Sequence, residues 1–307
     1  MRDLDIPLPV MRAVLGPMFR VMMDHRLPVT ARRKLSELAS LAQPVPADTA
    51  VTPLRLGGRP AERLTAPKTA TPRPETAVLY LHGGGYTIGS PTTHCSLAAR
   101  LAHETGASVY QLDYRLAPEH PHPAALEDAL AAFDALVGLG HRQDRIAIAG
   151  DSAGGGLSLA TAQHLVTERG VRPAALGLIA PWGDPNLPPP GERDLVVNRR
   201  WSRRCARDYL GDGDPASTGY APLRGPMAGL PPTYVQADTG ELLHGQCVEL
   251  VAALREAGVP VRFHETSGLW HVAQLQASLT TRAAAAVSEL SAFLMASLQP
   301  ATAPDLG

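Results

Sequence analysis

Gly150-Asp151-Ser152-Ala153-Gly154 sets a serine among small residues, directly after the apolar run Arg145–Ala149 and before a glycine-rich stretch of helical pattern. Strand, sharp turn and helix in that order form a nucleophile elbow, in which small neighbours let a strained turn lift the serine Oγ above a sheet. Such a hydroxyl can attack an acyl carbon if a base takes its proton and donors receive the oxyanion. A second stretch, His82-Gly83-Gly84-Gly85-Tyr86, follows the apolar run Ala77–Leu81. Its three glycines leave backbone N–H groups unobstructed, and Ala153 would add its own amide from the elbow. Two of the three glycines would serve, and the spacing does not choose the pair. Phosphate cradling is the competing use of such a turn, but neither a GxGxxG frame nor a Walker lysine accompanies it.

Both stretches need a scaffold that brings them together. Short runs rich in strand formers recur at 77–81, 108–112, 145–149, 175–180, 233–237 and 260–265. Helical patterns such as AALEDALAAFDALVGL and GLSLATAQHLVTERG separate them. Strands alternating with helices of this length predict βαβ units, a mostly parallel sheet covered on both faces, and a ligand site at the carboxyl ends of the strands. The stretch from Pro44 to Pro74 reads as connecting or edge structure with one short strand near Val51–Leu56. From Gly183 to about Gly219 runs an insertion that opens on prolines, continues as a charged helix over about Trp201–Leu210 and closes on Gly/Asp turns. Loops of that length inside a compact domain usually bind or cover something. At the N-terminus, Val10, Val14, Pro17/Met18, Val21 and Met22 recur near helical spacing and predict an amphipathic helix packed on the protein by that stripe. The alanine-rich C-terminal stretch from Ala283 reads as a helix that frays.

Composition removes several classes of function. A formal net charge of −1 provides no field to attract nucleic acid or an anionic membrane. Cys95, Cys205 and Cys247 are odd in number and far apart, which predicts buried free thiols rather than disulfides or a cysteine zinc site. Charged residues interrupt the N-terminal apolar runs short of a signal segment or a membrane span, so a cytoplasmic protein is expected, with peripheral membrane contact left open.

HGGGY at 82–86, DYRLAPE at 113–119 and GDSAGG at 150–155 occur in one order along the chain. With them the chain resembles the hormone-sensitive-lipase-like carboxylesterases of the α/β-hydrolase superfamily, from about Val78 to the C-terminal helix. The resemblance implies an α/β-hydrolase fold with an eight-stranded, mainly parallel sheet. It also implies N-terminal cap helices over 1–45, a catalytic domain over 46–307 with a cap insertion at about 183–219, no cofactor and no metal, and hydrolysis of esters. The DYRLAPE segment is supportive in that family and carries no chemistry.

Four histidines follow Ser152: His164, His244, His264 and His271. His271 comes after the last strand and a glycine-containing loop, where it could hang over the sheet edge and open a helix. It fits the Ser, acid, His chain order and the family's Gly-x-x-His segment. The loop after the strand 233–237 offers two acids, Asp238 and Glu241. The family's usual Asp-Pro-Leu frame is missing here. Alignment on an acid followed by an apolar pair favours Glu241 as the group that orients the imidazole, with Asp238 as the alternative. The reading that results is a serine carboxylesterase of short-chain esters, with Tyr86, Ile88, Trp182 and Leu187 walling the substrate pocket. An amidase or formamidase on the same scaffold, or a silent small-molecule receptor, are the alternatives, and a homodimer is compatible with all of them.

Overall fold

The computed structural model describes residues 4–66 and 76–299. Eight strands form one sheet: β1 (Ala50–Leu56), β2 (Arg59–Thr65), β3 (Ala77–Leu81), β4 (Ser108–Leu112), β5 (Ile146–Asp151), β6 (Ala175–Ile179), β7 (Thr233–Asp238) and β8 (Val261–Thr266). Their spatial order is β1-β2-β4-β3-β5-β6-β7-β8. From β4 through β8 every pairing is parallel, while β1 and β2 form an antiparallel hairpin added to the edge at β4. Strands β3, β5 and β6 are buried along their whole length, as strands covered on both faces must be. Two apolar clusters, one on each side of the sheet, make the core.

Helices α1 (Leu8–Met22), α2 (Val29–Ser40), α3 (Pro91–Thr105), α4 (Ala124–Gly138), α5 (Ala153–Arg169), α6 (Arg199–Leu210), α7 (His244–Glu256) and α8 (Thr281–Ser297) cover the sheet and one end of it. Local chemistry sets several boundaries. Ser90 and Thr93 form a reciprocal capping box ahead of Pro91 at the start of α3, and left-handed Gly106 ends that helix. Asn198 caps α6 through the amide of Trp201.

Three expectations need correction. The hairpin partner β2 was not anticipated, because Arg-Pro-Ala-Glu-Arg-Leu-Thr has a single β-branched residue and a proline; its two-residue Gly57-Gly58 turn was the available signal. Helix α1 packs by Met11, Leu15, Phe19 and Met22, leaving Val10, Val14 and Val21 outward at 51–64 % exposure. Both faces of this helix are apolar, and the bulkier side chains bury more area. Beyond His271 lies a short 3₁₀ turn, Ala273–Gln276, before α8 begins. Cys205 and Cys247 are buried free thiols, while Cys95 is half-buried. Residues 67–74 of the expected connecting stretch, and the tail beyond residue 299, lie outside the described residues. Among the described residues, no helix is long and apolar enough to cross a membrane.

Candidate active site

Strand β5 runs through Asp151, the chain turns at Ser152, and α5 begins at Ala153. Ser152 adopts φ +50° and ψ −118°, outside the relaxed regions for a residue with a side chain, and its neighbours hold it there. Its N–H donates to the Ile179 carbonyl at the end of β6, and its carbonyl accepts from Trp182 at 2.8 Å. A Cβ at Gly154 would collide with the Leu81 carbonyl, so the elbow can pack against β3 only with glycine there.

The serine hydroxyl lies 2.9 Å from His271 Nε2, and His271 Nδ1 lies 3.3 Å from Glu241 Oε1. With the proton on Nδ1, the ring donates to Glu241 and accepts from Ser152. All three residues are buried, at 8 % exposure or less. Burial alone would depress the His271 pKa, but the charge and hydrogen bond of Glu241, helped by Asp194 and Asp151, raise it above the usual imidazole value. His164, His244 and His264 lie elsewhere: on α5, against Glu265, and beside the Tyr234 ring.

Asp238 is occupied differently. Its carboxylate accepts from Gly240 N, Thr266 Oγ1 and Leu269 N at 2.8–3.0 Å, so it ties the β7 loop to the loop that carries His271. Its own amide donates to Glu241 Oε2 at 3.2 Å. Asp194, in the insertion, accepts from the amides of Val196, Val197 and Leu242, which links the insertion to the Glu241 loop. No pattern in the sequence marked Asp194 for this task.

The glycine turn is organised by Asp151, the residue just before the serine. Its buried carboxylate accepts from Tyr80 OH (2.7 Å) and Gly83 N (3.1 Å) and meets His94 Nε2 at 3.3 Å. Burial opposes its charge, yet His94 and Tyr80 hold the carboxyl below its ordinary range. Gly83 N–H is therefore spent on structure. Among the described residues, the amides of Gly84, Gly85 and Ala153 donate to no protein group. Gly84 has φ +119°, and a Cβ there would collide with the Ile88 carbonyl. His82 packs on Tyr114, and burial followed by the His94 ring push it down to about 3, so it is neutral. Arg33, from α2, donates to the carbonyls of Thr87 (2.8 Å) and Ala117 (2.9 Å) and forks onto Glu119. The DYRLAPE segment is thus bound to the glycine turn through an N-terminal helix.

A cavity of about 100 Å³ opens over Ser152 and His271. Ile88 lines it, together with Phe19 and Met22 of α1 and Val196, Val197 and Trp201 of the insertion. Tyr86, Trp182 and Leu187 do not. Tyr86 is core, stacked on Tyr209 at 3.6 Å between centroids, while Trp182 and Leu187 line a separate hollow. Among the described residues, no group of three His, Cys, Asp or Glu is placed to hold a metal ion.

Residues 78–275 match the family model described as alpha/beta hydrolase fold. An acetyl-hydrolase of Streptomyces hygroscopicus is 40 % identical over 64 % of this chain and 67 % of its own. The esterase LipI of Mycobacterium tuberculosis is 34 % identical over 86 % of both chains. Among solved structures, an esterase from the bacterial hormone-sensitive lipase family superposes with a TM-score of 0.87 at 33 % identity, covering 94 % of this chain and 98 % of the other.

Proposed function

The chain belongs to the hormone-sensitive-lipase-like esterases of the alpha/beta hydrolase family and is a carboxylic ester hydrolase, and from that premise we propose that it cleaves short-chain esters through an acyl-enzyme on Ser152. The observation that carries the reading is the continuous relay from Ser152 Oγ through His271 to Glu241.

His271 Nε2 takes the Ser152 proton as Oγ adds to the ester carbonyl. Glu241 holds the ring in the Nδ1–H tautomer and stabilises the imidazolium without itself accepting the proton. The tetrahedral oxyanion accepts from the Ala153 amide and from Gly84 and Gly85, the pair left over once Gly83 serves Asp151. His271 then returns the proton to the leaving alkoxide. Water, deprotonated by the same ring, releases the acid and restores Ser152.

Residues 1–45 and about 183–219 act as the cap, since α1 and the insertion supply most of the apolar wall over the serine. The small volume of that cavity favours short acyl groups. Hydrolysis of p-nitrophenyl esters from acetate to palmitate tests this. The reading requires kcat/KM to peak among the short esters and to fall toward palmitate; a preference for palmitate would refute the chain-length assignment, and no cleavage of any ester the function.

A further inference from the structure

Apart from the catalytic cavity, a hollow of about 700 Å³ lies between the outer face of α6 and the strap that follows β6. Arg200, Arg203 and Arg207 line one side, at spacings of three and four residues that place them on one helix face. Their neighbours Arg199 and Arg204 are paired with Glu192 and Asp208. Among the described residues, no carboxylate pairs with Arg200, Arg203 or Arg207, and no Asp or Glu lines the hollow. Trp182, Leu187 and Pro188 give it an apolar wall. Trp182 is only 4 % exposed, and its indole N–H meets no acceptor among the described residues. The lining therefore combines guanidinium donors and an apolar surface.

We propose that this hollow is a second binding site, for an amphipathic organic anion: an alkyl chain of medium length ending in a carboxylate or phosphate. The head pairs with the guanidinium forks of α6, and the tail lies along Trp182, Leu187 and Pro188. Ser152 does not line the hollow, so the occupant is bound and not cleaved. Its wall is nonetheless joined to the elbow, because the Trp182 amide donates to the Ser152 carbonyl at 2.8 Å. Occupancy is thus placed to change the setting of the serine.

The test is calorimetric, on the full chain with its reactive serine first blocked by diethyl p-nitrophenyl phosphate. Decanoate, decyl phosphate and decanol are titrated in turn. The site predicts binding of at least one anion, binding of decanol weaker by about tenfold or more, and a further loss of about tenfold or more for the anion in an Arg203→Gln/Arg207→Gln variant. That variant keeps hydrolysis of p-nitrophenyl acetate within about twofold of the parent, since these exposed side chains stand outside the catalytic cavity. Decanol binding as tightly as both anions, an unchanged anion Kd in the double variant, or anion binding that disappears once the serine is blocked would each overturn the proposal. Failure of the reagent to react would count against the serine reading alone, and the comparison of parent with arginine variant would still decide the second site.

Discussion

His271 sits between opposed influences, burial that disfavours its charge and the Glu241 carboxylate that favours it, and the carboxylate prevails. Only the neutral ring can take the serine proton, so kcat/KM should rise with pH through a pKa displaced above the ordinary value of about 6.5. Glu241→Gln removes the favourable charge and leaves the burial. Its acid limb should move down relative to the parent while the plateau falls by roughly 10⁴, as for the corresponding acid-to-amide change in serine hydrolases. Asp238→Asn should leave the limb in place and lose far less rate, but lower the melting temperature, because Asp238 accepts hydrogen bonds from Thr266 and Leu269. A pH–rate profile of the two variants beside the parent separates these roles. Ser152 and His271 were legible because motif and chain order single them out. The choice of Glu241 over Asp238 rested on an acid followed by an apolar pair in a chain without the family's usual frame; in the fold Glu241 lies against His271 while Asp238 accepts from Leu269.

Among the elements, the glycine turn between β3 and α3 is the one that would supply the oxyanion donors of the proposed mechanism. Gly84→Ala introduces a Cβ against the Ile88 carbonyl at a positive φ, so the turn must shift. The loss should be about 10²–10³ in kcat, the usual effect of removing one oxyanion donor, with circular dichroism unchanged. Arg33→Ala removes the hold on the Thr87 and Ala117 carbonyls from the outside. We expect kcat to fall by about 10- to 100-fold with KM near the parent value, since Arg33 does not line the cavity. A rise in KM with kcat unchanged would contradict a positioning role. The turn itself was readable from HGGG, but its clamp was not, because nothing in an α2 arginine's neighbours in sequence announces a partner in DYRLAPE. The parallel strands β3 to β7 were legible from their buried apolar runs, and β8 only from its place in the alternation. Strand β2, with three charged residues and a proline, was not, nor was the packed face of α1, where apolar residues surround the helix.

At the scale of the molecule, Ser152, Glu241 and His271 lie on the turns and loops that follow β5, β7 and β8, whereas the cavity wall comes from α1 and the insertion, far apart in the chain. Motif reading reaches the first and not the second: of the four residues expected to wall the pocket only Ile88 lines this cavity, and nothing in the motifs pointed to Phe19, Met22 or Trp201. The wall should therefore control chain length independently of the chemistry. Phe19→Ala, which removes a ring from the cavity lining, should shift the acyl optimum toward longer esters and lower the melting temperature, leaving the acid limb of the pH profile unchanged. An unaltered optimum across the ester series would place the acyl group elsewhere.

The measurement that bears most directly on the account is peptide mass spectrometry after reaction with diethyl p-nitrophenyl phosphate, with activity followed in parallel. One diethylphosphoryl group per chain, carried by the peptide that contains Ser152 and gained in step with loss of esterase activity, is the predicted result. Full loss of activity with the adduct on another residue, or an active enzyme that carries the adduct on Ser152, would contradict it.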